Sequence, residues 1–192
     1  ASSASQPDTP FKLHQHVVYP AQGVGQVTDI SEREFKGEPT LYYTLYVEVT
    51  DMTIKMPVTK AEELGVRAIV TPEEAHRALD LIAEEYEPVP ADWKLRYQMN
   101  LDLLKQGSVT DIATVVRTLY HRSKVKELPI LERKLFDTAI KNLVDEVSLS
   151  LKKSKSDVEQ MIFEKLETEH PVPGDADEES LEDDDLDGDD ES

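Results

Sequence analysis

Apolar and polar residues alternate in the first third of the chain with the period of a β-strand. The clearest run lies between Leu41 and Val49, where every second side chain is apolar, as expected for a strand with one buried face. Shorter apolar runs at residues 16–19, 24–30 and 53–56 are separated by turn residues, among them Pro20 and Gly23. Four or five short strands joined by tight turns predict a small, strongly bent antiparallel barrel.

After Thr71 the apolar period changes to that of an amphipathic helix. Thr71 is followed by Pro72 and then by Glu74, which is the pattern of a capped helix N-terminus. Further helices are predicted to begin after Asp92 and Ser108, to cover residues 130–151, and to open at a second capping box at Ser156. The short loops between these stretches predict a compact helical bundle.

Together these patterns predict an α+β protein: an N-terminal bent β-barrel at residues 11–70, then a C-terminal compact helical bundle at residues 92–169. Residues 71–91 would form a linker helix and a Pro-rich break. Residues 1–10 are interpreted as a disordered leader and residues 170–192 as a disordered acidic tail. The tail has too few apolar residues to offset the entropy lost on ordering.

The net charge of −19 conceals an uneven distribution along the chain. Residues 93–155 carry 13 Lys and Arg against 7 Asp and Glu, whereas residues 171–192 carry 12 acidic residues and no basic one. The basic block therefore indicates an anionic partner despite the acidic total. The chain has no cysteine, which excludes disulfides, thiolate catalysis and Cys-based zinc sites. No apolar run is long enough to span a membrane, so no membrane partner is expected and a cytoplasmic location is favoured.

Two groups of residues in the helical part are candidate nucleic-acid contacts. Trp93, the only tryptophan, stands beside Lys94 and Arg96 and could form an exposed aromatic wedge next to phosphate-binding cations; the alternative is a core tryptophan. The second group flanks the joint between the third and fourth predicted helices and consists of Arg117, Arg122, Lys124, Lys126, Arg133 and Lys134. It predicts salt-sensitive binding of weak sequence preference, and the alternative is a solvated helix surface.

The β-domain offers a third candidate surface, and no residues in the chain indicate catalysis. Arg33 and Lys55 could lie near the polar face of the strand at 41–49, where an edge strand can pair with a partner's strand; the alternative is an ordinary surface. His14 and His16 could share a strand face, but no third metal ligand is indicated. No phosphate-binding loop and no nucleophile–base arrangement is present, so neither an enzyme nor a cofactor or metal site is predicted.

Several short motifs resemble the CarD/CdnL family of bacterial transcription regulators. In the β-domain the resemblance rests on VVYP at 17–20, GVG at 23–25, KGE at 36–38, MP at 56–57 and GVR at 65–67. In the helical part it rests on DWKLRY at 92–97, Asn100 with Leu101, Gly107 and VVRTL at 115–119. The order and spacing of these motifs hold over residues 11–166, which is most of the chain outside its two ends.

The resemblance implies a Tudor-like β-domain that binds the RNA polymerase β subunit, similar to the polymerase-interacting domain of the transcription-repair coupling factor. It also implies a helical domain that contacts promoter DNA at the upstream fork of the bubble, largely independently of sequence, and stabilises the open complex. By position, Trp93 matches the wedge. Basic DNA-contacting positions match Arg96, Arg122 and Arg133, and Lys94 and Lys134 are added to them from the charge pattern. Arg33 and Lys55 match polymerase-contacting positions.

Two departures from the family pattern bear on DNA binding. Gln98 stands where family members can carry Lys, and His121 where they can carry Arg. Binding of DNA is therefore expected to be weaker or more sensitive to pH. The acidic tail is an addition to the family core, interpreted as solubilising or, alternatively, as a competitor of DNA. The main functional alternative is an adaptor on RNA polymerase whose helical domain binds another protein. We expect a monomer associated with the nucleoid.

Overall fold

The computed structural model describes residues 7–85 and 88–168. Its N-terminal part is an antiparallel five-stranded sheet in the order β4-β3-β2-β1-β5. The strands are β1 (His16–Tyr19), β2 (Gly23–Phe35), β3 (Glu38–Val47), β4 (Met52–Pro57) and β5 (Arg67–Ala68). Within the described residues β4 and β5 lie at opposite edges of the sheet. The sheet is therefore open rather than closed, and the predicted architecture of a bent antiparallel β-domain followed by a helical bundle is confirmed.

The long β2–β3 hairpin is the central element of the sheet. Its two-residue turn is formed by Lys36 and Gly37, both with positive φ (53° and 81°), as a type I′ turn requires. A register shift between Val27 and Asp29 bends β2, as bulges do. The inner face carries a small apolar core made of Val17, Val27, Tyr43, Leu45, Met56, Ala61 and Val66. The opposite face of the hairpin carries exposed side chains, among them Arg33 and Tyr46.

In the described part of the chain, six α-helices accompany the sheet: α1 (Val58–Glu63), α2 (Pro72–Ala83), α3 (Trp93–Gln106), α4 (Val109–Val125), α5 (Ile130–Leu151) and α6 (Lys155–Leu166). The capping box at Thr71 is confirmed, since its hydroxyl accepts from Glu74 N–H and the Glu74 carboxylate accepts from Thr71 N–H. Asp92 and Ser108 cap α3 and α4 as predicted. Helices α2 to α6 surround one continuous apolar core that includes Leu79, Val116, Leu119, Leu143 and Ile162.

Three local expectations differ from the structure. The cap of α6 is Ser154, whose Oγ accepts from Asp157 N–H at 3.1 Å, so the prediction of Ser156 is wrong. Strand β3 ends at Val47 because residues 48–50 form a 3-10 helix, which removes Val49 from the alternating run. Helix α1 had no predicted counterpart, because six residues are too few to show a helical period.

Parts of the predicted leader and tail lie outside the described residues. These parts are residues 1–6 and residues 169–192. Within the rest of the leader, Thr9 is buried and its hydroxyl donates to the carbonyl of Phe11 at 2.6 Å. Thr9 is therefore packed within the described structure, while Asp8 and Pro10 on either side of it are exposed. In the described part of the chain, no helix is long and apolar enough to cross a membrane.

Candidate nucleic-acid interface

Three helix ends meet at one end of the bundle and bring most of the predicted DNA-contacting residues together. Arg96, in the first turn of α3, pairs with Glu132, in the first turn of α5, so these two helices begin side by side. The loop between Val125 and Ile130 is short, so α4 ends where α5 begins. Trp93, Lys94, Arg122, Arg133 and Lys134 therefore belong to this end, which we call the basic end.

Arg96 does not lie on the surface, and this corrects its assignment as a DNA contact. Its side chain is 3% exposed and Glu132 is fully buried. The guanidinium Nε and Nη2 donate to the two Glu132 carboxylate oxygens at 2.6 and 2.8 Å. Its Nη1 donates to the carbonyls of Pro90 and Ala91 at 2.9 and 3.3 Å. A guanidinium whose donors are used in this way inside the bundle is not free to bind phosphate.

The same contacts hold Trp93 in place. Trp93 is the first residue of α3, and Asp92 caps that helix by accepting from Lys94 N–H at 2.9 Å. Because Arg96 binds the two carbonyls just before Asp92, the chain enters the helix along a fixed path. The indole is 36% exposed, so it is neither a core residue nor a free surface one. It therefore presents an apolar surface from a constrained backbone.

The exposed apolar surface continues around Trp93 at the basic end. Val125 is 60% exposed, Ile130 is 72% exposed and Leu131 is 46% exposed. All three lie at the joint between α4 and α5. An apolar edge of this kind, bordered by cations, is the arrangement with which proteins insert side chains beside unstacked bases.

The cations of the basic end differ in how strongly they are engaged. Lys94 and Lys134 are exposed and Arg122 is half-buried. Arg133 donates to Glu127 at 2.9 Å, with both side chains more than half exposed, and an exposed pair of this kind is weak enough to be exchanged for phosphate. Lys124 lies over the Tyr120 ring at 4.9 Å. These side chains leave a cluster of surface cations around the apolar edge.

One member of the basic set predicted from the sequence has a structural role instead. Arg117 donates from Nη1 to the carbonyls of Leu81 and Glu85, at 3.1 and 3.4 Å. These carbonyls lie at the C-terminal end of α2, where a cation also complements the helix dipole. Arg117 therefore joins α4 to α2 and is removed from the candidate interface.

Arg33 and Lys55 lie on the same outer face of the sheet. In the antiparallel register Arg33 is opposite Thr40 and Lys55 is opposite Thr44, and directly paired residues point to the same side. Thr40 and Thr44 are four residues apart on β3, so strand spacings place the two backbones roughly 17 Å apart. Tyr42 lies between them on this face.

Tyr46 lies at the end of the same face. Its hydroxyl donates to Asp51 Oδ1 at 2.8 Å, and this bond, together with the nearby negative charge, raises the pKa of the phenol. Both the aromatic rings and the two cations therefore face outward. We call the surface formed by Arg33, Thr40, Tyr42, Thr44, Tyr46 and Lys55 the outer sheet face.

Sequence reasoning missed Glu132 as the partner of Arg96 and did not relate Lys134 to Trp93. The partner of Arg96 is 36 residues away, and nothing in the local pattern links the two. No group of three potential metal ligands occurs in the part of the chain that the structure describes. His14 lies before β1 with a φ of 69°, so it does not alternate with His16 on a strand as expected.

The chain matches two family models and is similar to a bacterial protein. Residues 11–70 match the model of the CarD-like/TRCF RID domain and residues 77–163 match that of the CarD C-terminal domain. A protein of Bacillus subtilis (strain 168), YdeB, described as a candidate transcription factor, is 29% identical over 139 residues. That alignment covers 72% of this chain and 91% of the relative. The two models meet where the sheet gives way to the helical bundle.

Proposed function

The chain belongs to the CarD/CdnL family of transcription regulators, and from this premise we propose that it acts at transcription initiation on RNA polymerase. In this proposal the outer sheet face binds the polymerase β subunit. The basic end binds promoter DNA at the upstream fork of the bubble and stabilises the open complex. No step of this activity requires the protein to catalyse a reaction.

The observation that carries the proposal is the position of Trp93. It is a partly exposed indole on a fixed backbone, at the same end of the bundle as Lys94 and Lys134. An indole inserted beside the last base pair of a duplex replaces stacking lost at the fork, and cations around it neutralise phosphates. An open fork offers such a surface and a closed duplex does not, so binding there favours the open state.

The free energy required to favour the open complex over the closed one is small. Four to six phosphate contacts give weak, salt-dependent DNA binding by themselves. A protein already bound to polymerase meets the promoter at an effective concentration of about millimolar, as for short tethers. A preference of about 1.4 kcal/mol for the open state then shifts the opening equilibrium tenfold.

The outer sheet face supports the polymerase half of the proposal. Arg33 and Lys55 are both exposed there, on either side of Tyr42, and aromatic residues and arginine are enriched in protein interfaces. β4 is an edge strand of the sheet, so backbone groups beside Lys55 are available for pairing with a strand of the partner.

A second candidate function, a protein–protein adaptor on RNA polymerase, is favoured by a different surface of α3. Leu95 is 52% exposed and Met99 is 48% exposed, and residues four apart lie on one side of a helix. Such a pair fits an apolar protein partner better than DNA. An adaptor would not be retained on DNA in a salt-dependent manner, whereas the proposed regulator would.

The test is the lifetime of promoter open complexes formed by the cognate polymerase. The protein should lengthen this lifetime, and Trp93→Ala and Arg33→Glu should each remove most of the effect. Leu95→Ala is the matched control on α3 and Lys60→Glu, an exposed residue of α1, is the matched control on the β-domain. An open-complex lifetime that does not change when the wild-type protein is added refutes fork stabilisation. Loss with Leu95→Ala but not with Trp93→Ala supports the adaptor.

A further inference from the structure

Helix α5 carries two buried glutamates, and each forms an ion pair with an arginine of another element. Glu132 pairs with Arg96 of α3, which holds the backbone before Trp93. Glu146, 1% exposed, pairs with Arg67 of β5, in the β-domain. The first pair lies at the basic end and the second joins the two domains. The proposed function does not use the second pair.

All three guanidinium nitrogens of Arg67 and both carboxylate oxygens of Glu146 form hydrogen bonds. Arg67 Nη1 and Nη2 donate to the two carboxylate oxygens of Glu146 at 2.6 and 2.7 Å. Arg67 Nε and Nη2 also donate to the carbonyl of Gly107, at the end of α3, at 3.0 and 2.8 Å. The backbone N–H of Val70 donates to Glu146 Oε2 at 3.1 Å, and Ser150 Oγ donates to the Val70 carbonyl at 2.7 Å. One arginine therefore ties β5 to the ends of both α3 and α5.

Two close approaches between the domains surround this pair. Gly107 has a φ of 76°, and a Cβ atom built on it would lie 2.8 Å from Cβ of Pro20. A Cβ atom on Gly23 would lie 2.9 Å from Oδ1 of Asn142 on α5. At these two points the domains meet backbone to side chain, with no room for an added Cβ atom.

The geometry of α5 relates the two pairs to each other. Glu132 and Glu146 are 14 residues apart, which is roughly 21 Å along an α-helix and about 40° short of four full turns. Both glutamates therefore point to nearly the same side of α5. Helix α3 runs parallel to α5, because Arg96 binds α5 near its start and Gly107 lies at the Arg67 site near its end. Two parallel helices thus connect the Trp93 backbone to the β-domain, with an arginine at each end.

We propose that Arg67 and Glu146 are positioning residues that fix the orientation of the outer sheet face relative to Trp93. This inference rests on the proposed function, in which one molecule must reach polymerase and the fork together. A buried ion pair adds little stability compared with an apolar pair of similar volume, but it admits few geometries. Its use between domains is therefore to select one orientation, which keeps Trp93 at the fork while the sheet stays on polymerase.

The test replaces the pair without leaving a lone buried charge. In Arg67→Met/Glu146→Leu both partners become apolar at similar volume, so the protein is expected to remain folded. The matched control is Lys165→Met/Asp80→Leu, which removes an exposed ion pair between α6 and α2. Circular dichroism and thermal unfolding check that both variants fold.

Orientation is measured directly on the full chain. Because the chain has no cysteine, Glu62→Cys on α1 and Glu159→Cys on α6, both exposed, can carry a donor and acceptor dye pair. The distance distribution between the dyes reports the relative position of the domains. It should broaden in the apolar double variant and stay as in wild type in the control.

The functional readout separates orientation from binding. The double variant should bind polymerase alone and DNA alone with affinities within twofold of wild type. The increase in open-complex lifetime that it causes should nevertheless be at least fivefold smaller than the increase caused by wild type. An unchanged dye distance distribution, or a broadened one with the full lifetime gain, overturns the positioning role. If wild type itself gives no lifetime gain, the proposed function fails, while the dye distances still decide whether the pair fixes the domain orientation.

Discussion

Removing the carboxylate of Glu132 should destabilise the protein far more than removal of a surface charge. In Glu132→Ala the Arg96 guanidinium stays inside the bundle, 3% exposed in the native protein, with the carbonyls of Pro90 and Ala91 as its remaining acceptors. It loses two short charge-assisted hydrogen bonds, each worth about 1.5–3 kcal/mol. Breaking one side of a buried pair therefore costs about 3–5 kcal/mol, a large part of the 5–15 kcal/mol typical of a whole domain.

Trp93 makes this prediction measurable at the site itself, because it is the only tryptophan of the sequence. Urea unfolding followed by tryptophan fluorescence, and in parallel by circular dichroism, gives the free energy of unfolding of each variant. Arg96→Met/Glu132→Leu should lie within about 2 kcal/mol of wild type, since no lone charge remains. Alanine at Glu127, the partner of Arg133 on the surface, should change stability by less than about 1 kcal/mol.

Two results would refute this reasoning about the buried pair. The first is a loss below about 1 kcal/mol in Glu132→Ala, which would mean that the guanidinium escapes to solvent without penalty. The second is a double variant as unstable as the single one, which would mean that shape at this position, not charge, limits stability. The double variant should also lose the open-complex effect while staying folded, because the carbonyls before Trp93 are then no longer held.

Three further predictions concern the domain contact, the tail and pH. Gly107→Ala should lower stability by about 1–3 kcal/mol in thermal unfolding, because of its positive φ and the approach of Pro20; an unchanged midpoint would contradict this. Deleting residues 171–192 should leave DNA affinity within twofold in a filter-binding titration, and tighter binding at low salt would instead support competition. The pKa of Glu74 is lowered because its carboxylate accepts from the N–H and hydroxyl of Thr71. This depressed pKa means that the cap stabilises α2 above the ordinary glutamate range and is lost as pH falls through the lowered value. Amide exchange at the start of α2 should therefore be slower in wild type than in Glu74→Ala above the ordinary glutamate range, and this difference should disappear as pH falls through the lowered value.

Elements whose signals are local were predicted from the sequence, and those that depend on tertiary contacts were not. The caps at Thr71, Asp92 and Ser108 involve residues within one turn, so their patterns were sufficient. The cap of α6 was missed because Ser154 and Ser156 both precede an acidic residue three positions later. The open edges of the sheet could not be predicted from the strand pattern, because strand number alone does not determine whether the edges meet.

The candidate site shows the same division. The charge pattern predicted Lys94 and Lys134 as candidate contacts, and both are exposed. The predicted start of the helix gave the position of Trp93. The engagement of Arg96 with Glu132 and of Arg117 with the end of α2 did not, because each depends on residues more than 30 positions away. Exposure of a cation is a property of the fold, so a count of charges cannot separate binding cations from structural ones.

The three arginines within the motifs that carry the family resemblance, Arg67, Arg96 and Arg117, have structural contacts. Arg96 belongs to the motif around Trp93 and Arg67 to the motif at 65–67, and both form bidentate pairs with glutamates of α5. A forked guanidinium can bind a carboxylate and backbone carbonyls at once, which a lysine cannot do. At exposed positions that contact phosphate, either cation serves. In the proposed function a motif of this kind marks the framework that orients the binding surfaces, while the surfaces themselves would need only charge, an indole and the correct angle between them.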